Sequence, residues 1–116
     1  MKAAALASAA ILAIAFTPAI AEPMLGGCGH LQALAQEHAN DMARRDRLDH
    51  AGFKGRAARG ARAENVAMGH ASEAETLAQW RASSRHAANM RRPGCKAIAR
   101  AVSRSGRTYW VMEIGG

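Results

Sequence analysis

Cys28 and Cys95 are the only cysteines in the chain, 67 positions apart. A bond between them would hold the start of the domain within about 4.4–6.8 Å, Cα to Cα, of its last third. Such bonds persist in oxidising compartments, and the N-terminus points to one. Met1-Lys2 makes a short positive start, residues 3–20 are almost wholly apolar, and Ala19-Ile20-Ala21 is followed by the polar break Glu22-Pro23. That is the pattern of a secretory signal peptide with an A-x-A cleavage site. The rival, a membrane anchor, needs about 20 apolar residues and ordinarily has no such site. No later stretch is long and apolar enough to span a bilayer. We read residues 1–21 as a signal peptide, 22–30 as a leader and 31–116 as one domain. The protein is expected to be secreted, periplasmic or extracellular, with a Cys28–Cys95 disulfide. Two cysteines leave one intramolecular pairing, and closing so long a loop contributes roughly 4 kcal/mol as an upper estimate.

Cleavage after Ala21 leaves 95 residues (116 − 21), and loss of Lys2 takes the formal charge from +7 to +6. A chain of that length builds one domain with a modest core. Its positive charge is mostly arginine, scattered from Arg44 to Arg107. Nucleic acid is a partner of some basic proteins, but export and the lack of any nucleic-acid motif argue against it. An anionic lipid or envelope polymer fits better. A merely solvated, soluble surface is the plain alternative.

Leu31, Leu34, Ala35, Ala39, Met42 and Ala43 recur in steps of three and four, which predicts an amphipathic helix ending near Arg47. His38 falls on its apolar side and reads as a buried, hydrogen-bonded structural histidine. Residues 49–63 are rich in Gly and Arg and read as irregular, with at most a short helical turn. Residues 64–69 suit a short strand or a tight connector. Ser72-Glu73-Ala74-Glu75 is a capping box that starts a second helix, so Glu73 and Glu75 read as caps and not as catalysts. A short helix is expected over residues 85–90, stopped by Pro93-Gly94. Residues 96–104 and 107–114 read as an antiparallel hairpin turning at Ser105-Gly106. Trp110, Met112 and Ile114 alternate with Tyr109, Val111 and Glu113, which suits a strand covered mainly on one face.

Three further blocks carry chemistry: Asp49-His50-Ala51-Gly52-Phe53, then Glu64-Asn65-Val66-Ala67-Met68-Gly69, then Trp80 onward through Ser83 and His86 to Asn89-Met90. With Ala35-Gln36-Glu37-His38-Ala39-Asn40-Asp41-Met42-Ala43 and the closing Tyr109-Trp110-Val111, this order resembles the CAP superfamily. That group comprises the cysteine-rich secretory, antigen 5 and pathogenesis-related proteins; the likeness is to its small secreted bacterial members and covers residues 31–116. The resemblance implies an α+β fold, an α-β-α sandwich around a small antiparallel sheet, with a cleft holding a His-Glu-Glu-His tetrad. His50, Glu64 and His86 match three of those positions, and Ser83 stands at the second Glu, as in many bacterial relatives. Most members begin with a further helix and strand. Part of the sandwich is therefore expected to be short or missing, which leaves a homodimer open as a way to cover apolar surface.

His50, Glu64, Ser83 and His86 are the candidate cleft residues. Two neutral imidazoles, His50 and His86, could bind zinc or copper with water completing the shell. Glu64 would then orient a histidine or poise a metal-bound water. Without a metal, the same three residues are candidates for proton transfer, although neither a G-x-S-x-G elbow nor an H-E-x-x-H pair is present. Ser83 reads as a cap before a nucleophile. A purely structural network is the third alternative. Asn65 and Asn89 read as residues that bond backbone in turns and at helix ends. The resemblance suggests lipid binding in some relatives. The reading with the best fit is a binding cleft for a metal or a small lipid or envelope ligand; the rival is a metal- or His/Glu-assisted hydrolase of peptide, ester or wall material.

Overall fold

The leading helix lays one face of small and medium apolar residues along the sheet. The structure, a computed structural model, describes residues 28–116, so the expected signal peptide and most of the expected leader lie outside the described residues. In chain order the elements are α1 (Cys28–Arg45), α2 (Phe53–Ala58), β1 (Ala61–Met68), α3 (Glu73–Ala82), α4 (Ser84–Met90), β2 (Cys95–Val102) and β3 (Thr108–Gly115). The three strands form one antiparallel sheet in the order β1-β3-β2.

α1 buries Leu31, Leu34, Ala35, His38, Ala39, Met42 and Ala43, the stripe that its periodicity predicts. It ends at Arg45 because Asp46 takes the left-handed conformation, φ 50°. Arg47 N–H then donates to the Met42 carbonyl and Asp46 N–H to the Ala43 carbonyl, a Schellman-type stop. The Tyr109 hydroxyl donates to Asp46 at 2.6 Å and fixes that corner to β3. At the other end, Cys28 is bonded to Cys95, Cα–Cα 5.4 Å, so α1 is fastened to β2 by its first residue. Gln32 and Gln36 donate to the Ile98 and Arg100 carbonyls of β2 at 2.8 and 2.9 Å.

Ala35, Ala39, Met42 and Ala43 pack on Val66, Ala99, Tyr109 and Val111. The opposite face of the sheet carries Trp80, Trp110, Met112 and Ile114, with Ala63 and Ala67. The Trp80 indole donates to the Val66 carbonyl at 3.1 Å, and the Trp110 indole to the His70 carbonyl at 2.9 Å. β3 is therefore buried on both faces from Tyr109 to Gly115, where its alternation suggests cover mainly on one. The reason is topology: β3 is the central strand, with helices on both sides. Residues 49–63 also hold more structure than their composition suggests, since α2 and the start of β1 both lie there. Ser72 caps α3 by accepting from Glu75 N–H at 3.2 Å. No helix among the described residues is long and apolar enough to cross a membrane.

Candidate functional site

Glu64 stands in the middle of β1 and points to the α1 side, with its side chain only 1% exposed. A carboxylate so placed needs compensation. Arg56 of α2 supplies it in bidentate form: Nε donates to Oε2 at 2.6 Å and Nη2 to Oε1 at 2.9 Å. Arg56 Nη1 also donates to the Ala51 carbonyl at 2.7 Å, so one guanidinium ties the strand to the loop before α2. Gly52 opens α2 in the left-handed region, φ 79°. A Cβ there would also meet Arg56 Nη1 at 3.1 Å, which explains a glycine two residues after His50.

His50 is held by Glu64. Its Nδ1 donates to Oε1 at 2.8 Å, while 53% of its side chain is exposed. That bond turns Nε2 away from the carboxylate. The loop carrying His50 is itself fixed from α1. His38 Nε2 donates to the Asp49 carbonyl at 2.8 Å and lies 3.6 Å from Glu64 Oε1. Arg45 grips the Asp49 carboxylate with two bonds of 2.8 Å and holds it well below the usual carboxylate range. His38 is thus buried and hydrogen-bonded, as its place on the stripe suggests, and it also braces the site.

Glu113 of β3 faces Glu64 across the ladder and is fully buried. Arg56 Nε lies 3.4 Å from it, but neither oxygen accepts a hydrogen bond. Burial pushes its carboxyl up, as do the hydrogen bond and charge of Glu64, to about 10. As a neutral acid it has Glu64 as an acceptor. For Glu64, burial alone would raise the carboxyl. Hydrogen bonds from Glu113, Arg56 and His50 outweigh burial and hold it below its ordinary value.

His86 and Ser83 are placed differently. His86 sits on α4 with its ring centroid 6.5 Å from that of Trp80, and its Nδ1 is buried without a hydrogen-bond partner. Burial, with the charges of His50 and Arg85, lowers its basicity. Ser83 joins α3 to α4, and its side chain makes no cap bond. A concavity of about 300 Å³ is lined by His50, Phe53, Arg62, Ala63, Glu64, Asn89 and Arg92. His50 and Glu64 meet there; His86 and Ser83 are not among its lining residues. Asn65 donates to the His86 carbonyl at 3.1 Å and accepts from Asn89 at 3.0 Å, which anchors α4 to β1 beneath the cleft. No three His, Cys, Asp or Glu side chains among the described residues are grouped to hold a metal ion. Glu64 holds the His50 ring through Nδ1, the orienting contact that a carboxylate makes to a metal-ligating histidine.

Arg56 and Glu113 carry the site's electrostatics, and neither is singled out by the sequence. Arg56 is one arginine among many. Glu113 is the one carboxylate in an otherwise apolar strand, which is a usable signal once that strand is known to be central. The family model described as CAP, the cysteine-rich secretory protein family, matches residues 29–114. No curated protein matches the chain.

Proposed function

The chain belongs to the cysteine-rich secretory protein family, and on that premise we propose that it is an exported binding protein. Its cleft presents the His50 imidazole to a small lipid or envelope ligand. The observation that carries this reading is the pairing of a half-exposed His50 with a buried Glu64 at 2.8 Å. Such a pair fixes ring orientation and tautomer while leaving one nitrogen for a ligand. The disulfide agrees with an oxidising compartment.

Native mass spectrometry of the exported protein tests it, wild type beside His50→Ala. The expected result is a bound mass on the wild type that His50→Ala loses, on a chain that starts at Glu22 and lacks two hydrogens. A bare spectrum from both proteins would sink the binding reading. The rival hydrolase has the same His50–Glu64 dyad in its favour, since an imidazole oriented by a carboxylate is the geometry of a general base. It is the weaker reading because Arg56 already balances Glu64 and Ser83 lies outside the cleft. Light scattering that finds only monomer would remove the homodimer that the sequence leaves open.

A further inference from the structure

We propose that the ligand of the cleft carries a phosphoryl group, gripped between the guanidinium groups of Arg62 and Arg92 with His50 beside it. This rests on the cleft being a binding site and names the class of ligand. The first observation is a bulge. Ala61 pairs with Gly115 and Ala63 with the adjacent Ile114, so Arg62 is an extra residue without a ladder partner. A bulge re-aims the side chain it carries. Here it lets Ala61 pack with Leu31 and Leu34 and Ala63 with Trp80, and Arg62 is left exposed on the wall of the cleft.

The second observation is convergence. Arg62 and Arg92 line the concavity that holds His50, and both also line an adjoining depression of about 540 Å³ with Gly94, Gly115 and Gly116. The two arginines stand where the two concavities adjoin. The third is charge. Glu37, Asp41 and Asp49 are taken by Arg44, Arg45, Arg47 and Arg59 on the α1 side of the molecule. Among the described residues, no carboxylate lies within 4.0 Å of Arg62 or Arg92. The only carboxylate in the cleft, Glu64, is turned inward and balanced by Arg56. The wall beside His50 therefore carries two guanidinium groups with no carboxylate in ion-pair contact. One guanidinium fork satisfies the two oxygens of a carboxylate. Two forks beside an imidazole suit the three or more oxygens of a phosphoryl group and its charge of about −1.5 to −2.

The test uses the oxidised, ¹⁵N-labelled chain titrated with inorganic phosphate and with acetate, as wild type, Arg62→Gln, Arg92→Gln and Arg104→Gln. Phosphate is expected to shift the amides of Arg62, Arg92 and Gly94. Either cleft variant should bind it roughly tenfold more weakly, the loss expected for one charged hydrogen-bonding group. Arg104→Gln, in the β2–β3 turn, should leave binding unchanged. Flotation with phosphatidylcholine vesicles, with and without phosphatidylglycerol, separates the sources. Binding to the mixed vesicles that falls in Arg62→Gln identifies a lipid headgroup, and binding of phosphate alone identifies a soluble phosphorylated compound. Absence of both, equal binding of acetate, or an equal loss in Arg104→Gln overturns the proposal. Phosphate binding that survives His50→Ala but not Arg62→Gln would sink the reading centred on His50 and leave the arginine grip standing. A bound mass lost in His50→Ala but kept in Arg62→Gln and Arg92→Gln would do the reverse.

Discussion

Glu113 reverses the usual acid sensitivity of a small protein. Below about pH 4.5, its ordinary value, folded and unfolded chains both hold the Glu113 proton. Above that pH the unfolded chain releases it while the fold retains it until near 10, so its contribution is lost as pH rises through the neutral range. Glu64 has the opposite sign: its lowered carboxyl contributes above pH 4.5 and is lost on acidification. Urea unfolding across a series from mildly acidic to alkaline pH should therefore show stability declining towards alkali. Glu113→Gln should flatten that decline and keep the fold, since an amide can still donate to Glu64. Equal pH slopes in the two proteins would count against a neutral Glu113. Motif order marks His50 and Glu64, which the fold brings together at 2.8 Å. It does not mark Arg56 or Glu113. A salt-bridge partner is a property of three-dimensional approach, and the alternation suits cover mainly on one face where β3 is buried on both.

The elements divide in the same way. α1 announces itself by a stripe over its eighteen residues, and Ser72 marks the start of α3. α2 is only six residues long and buries only Arg56, so hydrophobic periodicity has nothing to report there. The start of β1 is masked by the bulge at Arg62, which breaks the period of two that defines a strand. The closing strand is tightly constrained at its end. A Cβ on Gly115 would run into the Gly60 carbonyl and press on Leu31 at 3.2 Å. Gly115→Ala should therefore destabilise the protein by about 1–3 kcal/mol, the range for overpacking. Thermal unfolding measures it, and an unchanged midpoint would mean that the α2–β1 turn yields freely.

At the scale of the molecule, the Cys28–Cys95 bridge and the packing of Leu31 and Leu34 both hold the start of α1 to the sheet. Replacing both cysteines by serine should lower unfolding stability by up to about 4 kcal/mol, read from urea midpoints against the oxidised protein. No loss would assign that end of α1 to packing alone. The sheet order carries a further consequence. β1 and β2 meet only through β3, the last strand in chain order. A chain still emerging from a ribosome or a membrane pore, and short of Thr108, has no two strands that can pair. It can form helices and join its thiols, but its sheet waits for the final eight-residue strand. Until that strand arrives, the nascent polypeptide stays threadable and open to proteases, and it closes in one late event.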